Sequence, residues 1–372
     1  MVRGTRSRLL QGVPSGVQHY PLAEVRRRRA VEAALTATLR GWSYEEVLLP
    51  ILDYEEVFQR GMGHEASGRM YRLLDPEGQV LGVRPDLTPL VAKLVATGLR
   101  DEPLPIRLYY AGEVVRPEAP RALGRGEFHQ IGFEQIGGER AAADLEVAVV
   151  ALEAMRAAGL EAVRMTLSHS AILPALIERA DLDPQAAIRV RASVDRRDAR
   201  GLAESLTGAG CPPALGRAFM ALLRGIAGPL SREALGKQAG PAVQRALAEL
   251  GRLWEALRRL GYAERVEIDL AEAGGFEYYT GVRFRVYAEG VGFPVGAGGR
   301  YDQLLGRFGA SRPAVGFSFG LDRVLRGLES ARRLPDSPAE AARAVRVGSA
   351  GAQSALREAL RLRRRGLKVR LC

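Results

Sequence analysis

The sequence predicts an α+β fold, an antiparallel sheet flanked by helices, carrying a helical insertion and ending in a short β-α-β piece. Three observations carry this. Strand-like segments between residues 44 and 134 follow one another without a full helix between each pair, which argues against a doubly wound sheet. Residues from about 171 to 262 are almost wholly helical in pattern. After a polar stretch at 329–341 with Pro335 and Pro338, one strand-helix-strand pattern closes the chain. The 372 residues suit one large domain with smaller pieces, read as 1–328, a linker at 329–341, and 342–372.

Taken in order, Val25, Ala30, Ala33, Leu35 and Leu39 fit an amphipathic helix over Leu22 to Leu39 loosely, and Gly41 supplies a stop. Tyr44 to Leu49 reads as a buried strand ended at Pro50. Met70 to Leu74, Gln79 to Val83 and Ile106 to Val115 read as further strands, with Asp75-Pro76-Glu77-Gly78 as a hairpin turn. Residues 141–158 form an alanine-rich helix with Leu145, Val149, Leu152 and Met155 at helical spacing, and Ala162 to Ser168 is a strand. The helical stretch is broken at Gly208 to Pro213 and at Gly240-Pro241. Its last helix carries Val243, Leu247, Leu250, Trp254 and Leu257 on one stripe. Strand character returns at Val266, Ile268 and Leu270, and at Val282, Phe284 and Val286 alternating with Arg283, Arg285 and Tyr287. The tail gives Ala344 to Val347, a helix from about 352 to 365, and Leu367 to Leu371, too small a unit to stand alone.

Composition limits the functions open to such a fold. Apolar stretches such as Val47 to Leu52 fall far short of the roughly 20 residues of a membrane span, and the N-terminus has no apolar signal core, so a cytoplasmic location is expected. Cys211 and Cys372 are the only cysteines and the four histidines are scattered, which suggests neither a disulfide framework nor a metal site. A net charge of +11 raises the question of a nucleic-acid partner. The runs Arg26 to Arg29 and Arg363 to Arg365 lie in helix-like segments, where such residues usually make a solvated face.

Four segments put charged and glycine residues inside otherwise buried strands, where a polar group costs free energy unless it has a partner or a task. They are Arg84-Pro85-Asp86-Leu87-Thr88; Tyr110 to Glu118 with Glu127 to Glu134; Gly274 to Gly281; and Gly296 to Asp302 with Pro313 to Arg323. In the strand ending at Glu134, residues Phe128, Gln130, Gly132 and Glu134 share one face, so Gln130 and Glu134 project together into any cavity above the sheet.

Together these segments resemble the catalytic domain of class II aminoacyl-tRNA synthetases, specifically the histidyl branch, from about Gly12 to Gly327. The strand ending in Pro50 looks like motif 1, the strand-loop-strand with Arg116 and Glu118 looks like motif 2, and Gly316 to Arg323 looks like motif 3. Tyr278-Tyr279 and Gly298-Gly299-Arg300-Tyr301-Asp302 are of histidyl type. The resemblance implies that Arg116, Glu118, Phe128 and Arg323 form an ATP site, with the arginines on phosphate and Phe128 stacked on adenine. It implies that Asp86, Thr88, Arg116, Gln130, Glu134, Tyr278 and Tyr279 form a histidine pocket.

Three departures set the chain apart. Gly274 stands where histidyl enzymes carry an arginine at the α-phosphate, and one lost donor of this kind costs on the order of a hundredfold or more in rate. Leu87 stands where they carry a glycine, with bulk expected in the path of the substrate backbone. The C-terminal piece is only the start of an anticodon-binding domain, so tRNA reading is not expected. All three match a noncatalytic branch, the regulatory subunits of ATP phosphoribosyltransferase. The resemblance therefore implies a cofactor-free subunit without catalytic residues, dimeric through its first helix and the strand ending at Pro50. In a larger hetero-oligomer it would serve the activity and histidine feedback of a short catalytic subunit in the first step of histidine biosynthesis. An active histidyl-tRNA synthetase and a noncatalytic tRNA-binding module are the alternative readings.

Overall fold

A computed structural model describes residues 12–14, 16–63, 68, 70–116, 126–224, 235–272, 277–336, 343–347 and 351–372. Close contacts divide the chain into two units, Met1–His19 with Val31–Leu334, and Tyr20–Ala30 with Pro335–Cys372.

Helix α1 (Leu22–Gly41) buries Val31, Leu35 and Leu39 in the core of the first unit. A short strand β1 (Glu45–Glu46) follows, then β2 (Leu52–Tyr54), α2 (Glu55–Met62), β3 (Arg72–Leu74), β4 (Val80–Val83) and α3 (Thr88–Thr97). Two ten-residue strands, β5 (Ile106–Val115) and β6 (Glu127–Ile136), lead to α4 (Arg140–Ala157) and β7 (Val163–His169). Glu139 caps α4 by accepting from the amides of Ala141 and Ala142. The helical stretch is α5 (Ile172–Arg179), α6 (Pro184–Asp195), α7 (Ala199–Gly208), α8 (Pro213–Leu222) and α9 (Pro241–Arg259), three of which start on proline. Strands β8 (Val266–Ile268), β9 (Val282–Ala288), β10 (Gly296–Arg300) and β11 (Ala314–Gly320) complete the main sheet, and α10 (Leu321–Ser330) follows β11 directly.

The main sheet has eight strands in the order β1-β5-β6-β11-β10-β9-β7-β8. Its five central pairings are antiparallel, as expected, but β1 runs parallel to β5 and β8 parallel to β7, so the sheet is mixed. Both parallel partners are short edge strands whose pairing depends on chain far away in sequence, which local periodicity does not report. The expected buried strand over Tyr44 to Leu49 is also corrected. Only Glu45 and Glu46 pair, and Leu48 is 87% exposed.

Strands β2, β4 and β3 form a separate antiparallel sheet. The Asp75 to Gly78 turn closes its hairpin: Asp75 accepts the Gln79 amide on Oδ1, and Gly78 takes the left-handed φ of 82° that a side chain would resist. One face of this sheet packs Gly82 against Met70 and Phe58. The other carries Leu52, Tyr54 and Leu73, all substantially exposed.

In the second unit, β12 (Arg343–Val345) and β13 (Val369–Leu371) pair in parallel, joined by α11 (Gly351–Arg364), which buries Ala355, Ala359 and Leu362. Its 49 residues hold 13 Lys and Arg against 4 Asp and Glu, leaving 41 against 39 for the rest of the chain. Nearly all of the +11 is therefore carried here.

Candidate functional site

The sequence positions converge where the alternation of the strands demands. Because residues i and i+2 share a sheet face, β6 turns Phe128, Gln130 and Glu134 to one side. The side chains of Ile131 and Phe133 turn to the other and are fully buried. Above the first face lies a cavity of about 160 Å3, room for a small metabolite. Asp86, Thr88, Arg116, Phe128, Gln130, Glu134, Tyr278, Tyr279 and Arg323 all line it. Glu118 and Gly274 lie outside the described residues.

Glu134, 2% exposed, accepts from Thr88 Oγ1 at 2.9 Å and the Tyr110 hydroxyl at 3.1 Å on one oxygen, and from the Tyr301 hydroxyl at 2.5 Å on the other. Burial lifts its pKa to about 7, against the pull of those three donors. Asp86 accepts from the Tyr278 hydroxyl at 3.0 Å, from Gln130 Nε2 at 3.3 Å and from the Leu87 amide at 2.9 Å. Burial, reinforced by these carboxylates, pushes the hydroxyls of Tyr110, Tyr278 and Tyr301 far above their usual range, so they act as donors. The result is an acidic wall held in place by neutral donors.

Glycines make the space. A Cβ at Gly316 would collide with the Glu134 carboxylate, and one at Gly132 with the Tyr110 hydroxyl. The opposite wall is basic. Arg283 and Arg285, both on β9, line the cavity beside Ala297 and Ser318. The Arg116 guanidinium, also in the lining, lies 4.9 Å from the centre of the Phe128 ring. The Arg323 guanidinium lies 5.3 Å from the Phe293 ring and donates to the Pro294 carbonyl at 3.2 Å.

Some residues in the motifs serve the frame instead. Arg84 is buried and donates to the carbonyls of Leu49 and Glu113, each at 2.6 Å, tying the segment before Pro50 to β5. Arg300, 2% exposed, binds Asp144 of α4 through two nitrogens and Asp302 through a third. Leu87 points into the core beside Phe58, Leu90 and Tyr278 and does not line the cavity, so it removes no space from a ligand there. Side-chain bulk on a loop before a helix N-terminus gives no direction by itself, and that expectation failed for this reason. The residues missed as candidates are Tyr110, Tyr301, Arg283 and Arg285. Charge at two alternating positions of a strand was the available signal for the arginines.

A sheet of this strand order with a cavity of about 160 Å3 on one face is the frame of a class II synthetase-like protein. The histidyl-tRNA synthetase family model matches residues 16–324. A structure described as an ATP phosphoribosyltransferase regulatory subunit/histidyl-tRNA synthetase from Bacillus halodurans superimposes with a TM-score of 0.81 at 27% identity, covering 97% of this chain and 92% of that one. A histidyl-tRNA synthetase from Nostoc shares the fold, with a TM-score of 0.77 at 22% identity over 97% of this chain and 85% of that one. Proteins named ATP phosphoribosyltransferase regulatory subunit from Moorella thermoacetica and Symbiobacterium thermophilum are 36% and 37% identical. Each match spans 96% of this chain, and 91% and 90% of the relative. The chain belongs to the family of ATP phosphoribosyltransferase regulatory subunits, the histidyl-tRNA synthetase-like branch of this class. Among the described residues no helix is long and apolar enough to cross a membrane.

Proposed function

We propose that this chain is the noncatalytic subunit of a cytoplasmic ATP phosphoribosyltransferase, required by a short catalytic subunit for activity and for feedback by histidine. The observation that carries the reading is a contrast inside the cavity. Its amino-acid half is fully assembled around Asp86, Gln130, Glu134 and Tyr278. In its nucleotide half, Arg116 covers the Phe128 ring where adenine would stack. Gly274, at the position of the catalytic arginine, adds neither charge nor donor. Such a site holds an amino acid without activating it. Histidine would then shift the hetero-oligomer by the difference between its affinities for two states.

The test mixes a short catalytic subunit with this protein and assays phosphoribosyl transfer to ATP with and without histidine. Activity that rises on mixing and falls with histidine supports the reading; an unchanged rate overturns it.

A homodimer within that assembly is the second part of the proposal. Leu48 and Ile51 are 87% and 63% exposed beside Pro50, next to the uncovered face carrying Leu52, Tyr54 and Leu73. Exposed apolar side chains gathered on one stretch of chain and one sheet face suit an interface. Leu48→Lys with Leu73→Lys should convert the dimer to monomer in light scattering; a monomeric wild-type chain contradicts it. The chain divides, on this reading, into a synthetase-like domain to about 328 with its insertion at about 171–262, a linker at 329–341, and an anticodon-domain-like unit from 342.

A further inference from the structure

The two charged walls of the cavity lie in register across the sheet. Arg283 pairs with Gly299, Gly299 with Gly316, and Gly316 with Glu134, so one row runs from a guanidinium to a carboxylate over two glycines. In the next row Arg285 pairs with Ala297, Ala297 with Ser318, and Ser318 with Gly132. Three strand spacings separate the ends, roughly 14 Å between backbones. Both ends line the same cavity of about 160 Å3. A Cβ at Gly299 would come within 2.7 Å of the Val282 carbonyl and 2.9 Å of the Tyr279 ring, and one at Gly316 would meet Glu134. The missing side chains let the Tyr279 ring and the Glu134 carboxylate lie directly on the floor of the cavity.

Arg283 is 6% exposed and donates to the Glu272 carbonyl at 3.0 Å, with the Tyr279 ring 5.4 Å from its guanidinium carbon. The Glu272 carboxylate is engaged by Thr166 at 2.9 Å, Tyr287 at 2.5 Å and Arg285 at 3.4 Å. Burial, and then the neighbouring Arg285, push the Arg283 pKa down, while Tyr279, Glu272 and Asp195 pull the other way.

We propose that Arg283, backed by Arg285, binds the carboxylate of the cavity's ligand, so the site is read from both ends and accepts a small molecule with a cation opposite Asp86 and Glu134 and an oxyanion opposite Arg283. This rests on the amino-acid-binding reading above and adds the residue that makes a free carboxylate obligatory. A guanidinium fork suits a planar carboxylate, and phosphate offers related oxyanion chemistry.

Calorimetric titration of the whole protein tests it with histidine, with histidinol, whose carboxylate is replaced by a hydroxymethyl group, and with inorganic phosphate as competitor. The expected result is at least about tenfold weaker binding of histidinol, the scale of one lost charge-assisted contact, and little competition by phosphate at equal concentration. Arg283→Gln, and Arg283→Lys as a milder change, should bring histidine down to the level of histidinol. Equal binding of the two ligands by the wild-type protein overturns the proposal without any variant, as does discrimination that survives in a folded Arg283→Gln. Displacement of histidine by phosphate at equal concentration reassigns the basic wall and overturns it too. If histidine does not bind at all, the proposal fails, while stimulation of the catalytic subunit on mixing would still stand as a separate result.

Discussion

The two faces of the main sheet are built from the same strands and do opposite jobs. On one, Phe133 of β6, Phe317 and Phe319 of β11, and Phe284 and Val286 of β9 form a dry core, with the Phe133 ring 5.1 Å from Tyr44 and 6.1 Å from Phe319. On the other, the intervening residues are Gln130, Glu134, Gly316, Ser318, Arg283 and Arg285. A period of two lets a single strand supply fold and site at once. The stability of the apolar face pulls against the desolvation cost of the polar one.

That contrast breaks most visibly on the core side. Phe133→Ala removes a fully buried ring and should cost about 3–5 kcal/mol, read by denaturant unfolding. Substitution on the site face behaves differently. Because burial raises the Glu134 pKa from its ordinary value near 4.5 to about 7, its contribution is fully present below the unfolded pKa and is lost as pH rises through the folded one. Unliganded wild-type protein should therefore lose on the order of 3 kcal/mol between about pH 4.5 and 7 from this group. Glu134→Gln should abolish that slope and leave the protein more stable than wild type near pH 8, while weakening ligand binding. A variant destabilised at every pH would show that the three donors matter more than the buried charge.

His129 is the exception on the core face. Its Nδ1 donates to the Glu113 carboxylate at 2.9 Å and its Nε2 lies 3.7 Å from Glu32 of α1. Burial opposes its charge, but the two carboxylates win and raise its pKa to about 9. The stabilisation is present below about pH 6.5 and disappears as pH rises through 9, so His129→Gln should cost roughly 1–2 kcal/mol at pH 6.5 and much less at pH 10. Thermal melts across that range give the answer. The smallest effect belongs to the basic second unit. Replacing Arg363, Arg364 and Arg365 by Gln should change stability by less than about 0.5 kcal/mol. Tight, steeply salt-dependent RNA binding by the wild-type unit that these changes remove would give the charge a task that the fold does not need.

Much of this was legible in the residues. The alternation Phe128, Gln130, Gly132, Glu134 places three of its members on the cavity, and the breaks at Gly208 to Pro213 and Gly240-Pro241 fall between helices, because proline and glycine act locally. What was hidden depends on long-range partners. The parallel edges at β1 and β8 need chain from elsewhere, and Leu87 turns inward only because α2 and α3 offer a core there. Arg283 and Arg285 were visible as charges in a strand, but only the register puts Arg283 in one row with Glu134 across two glycines.

On the proposed function, an amino-acid pocket has been kept while the chemistry beside it has gone. Histidine-dependent exchange of pyrophosphate into ATP tests this most directly. The account predicts no exchange above background at protein and histidine concentrations where calorimetry registers histidine binding; robust exchange would make the chain a working synthetase and contradict it.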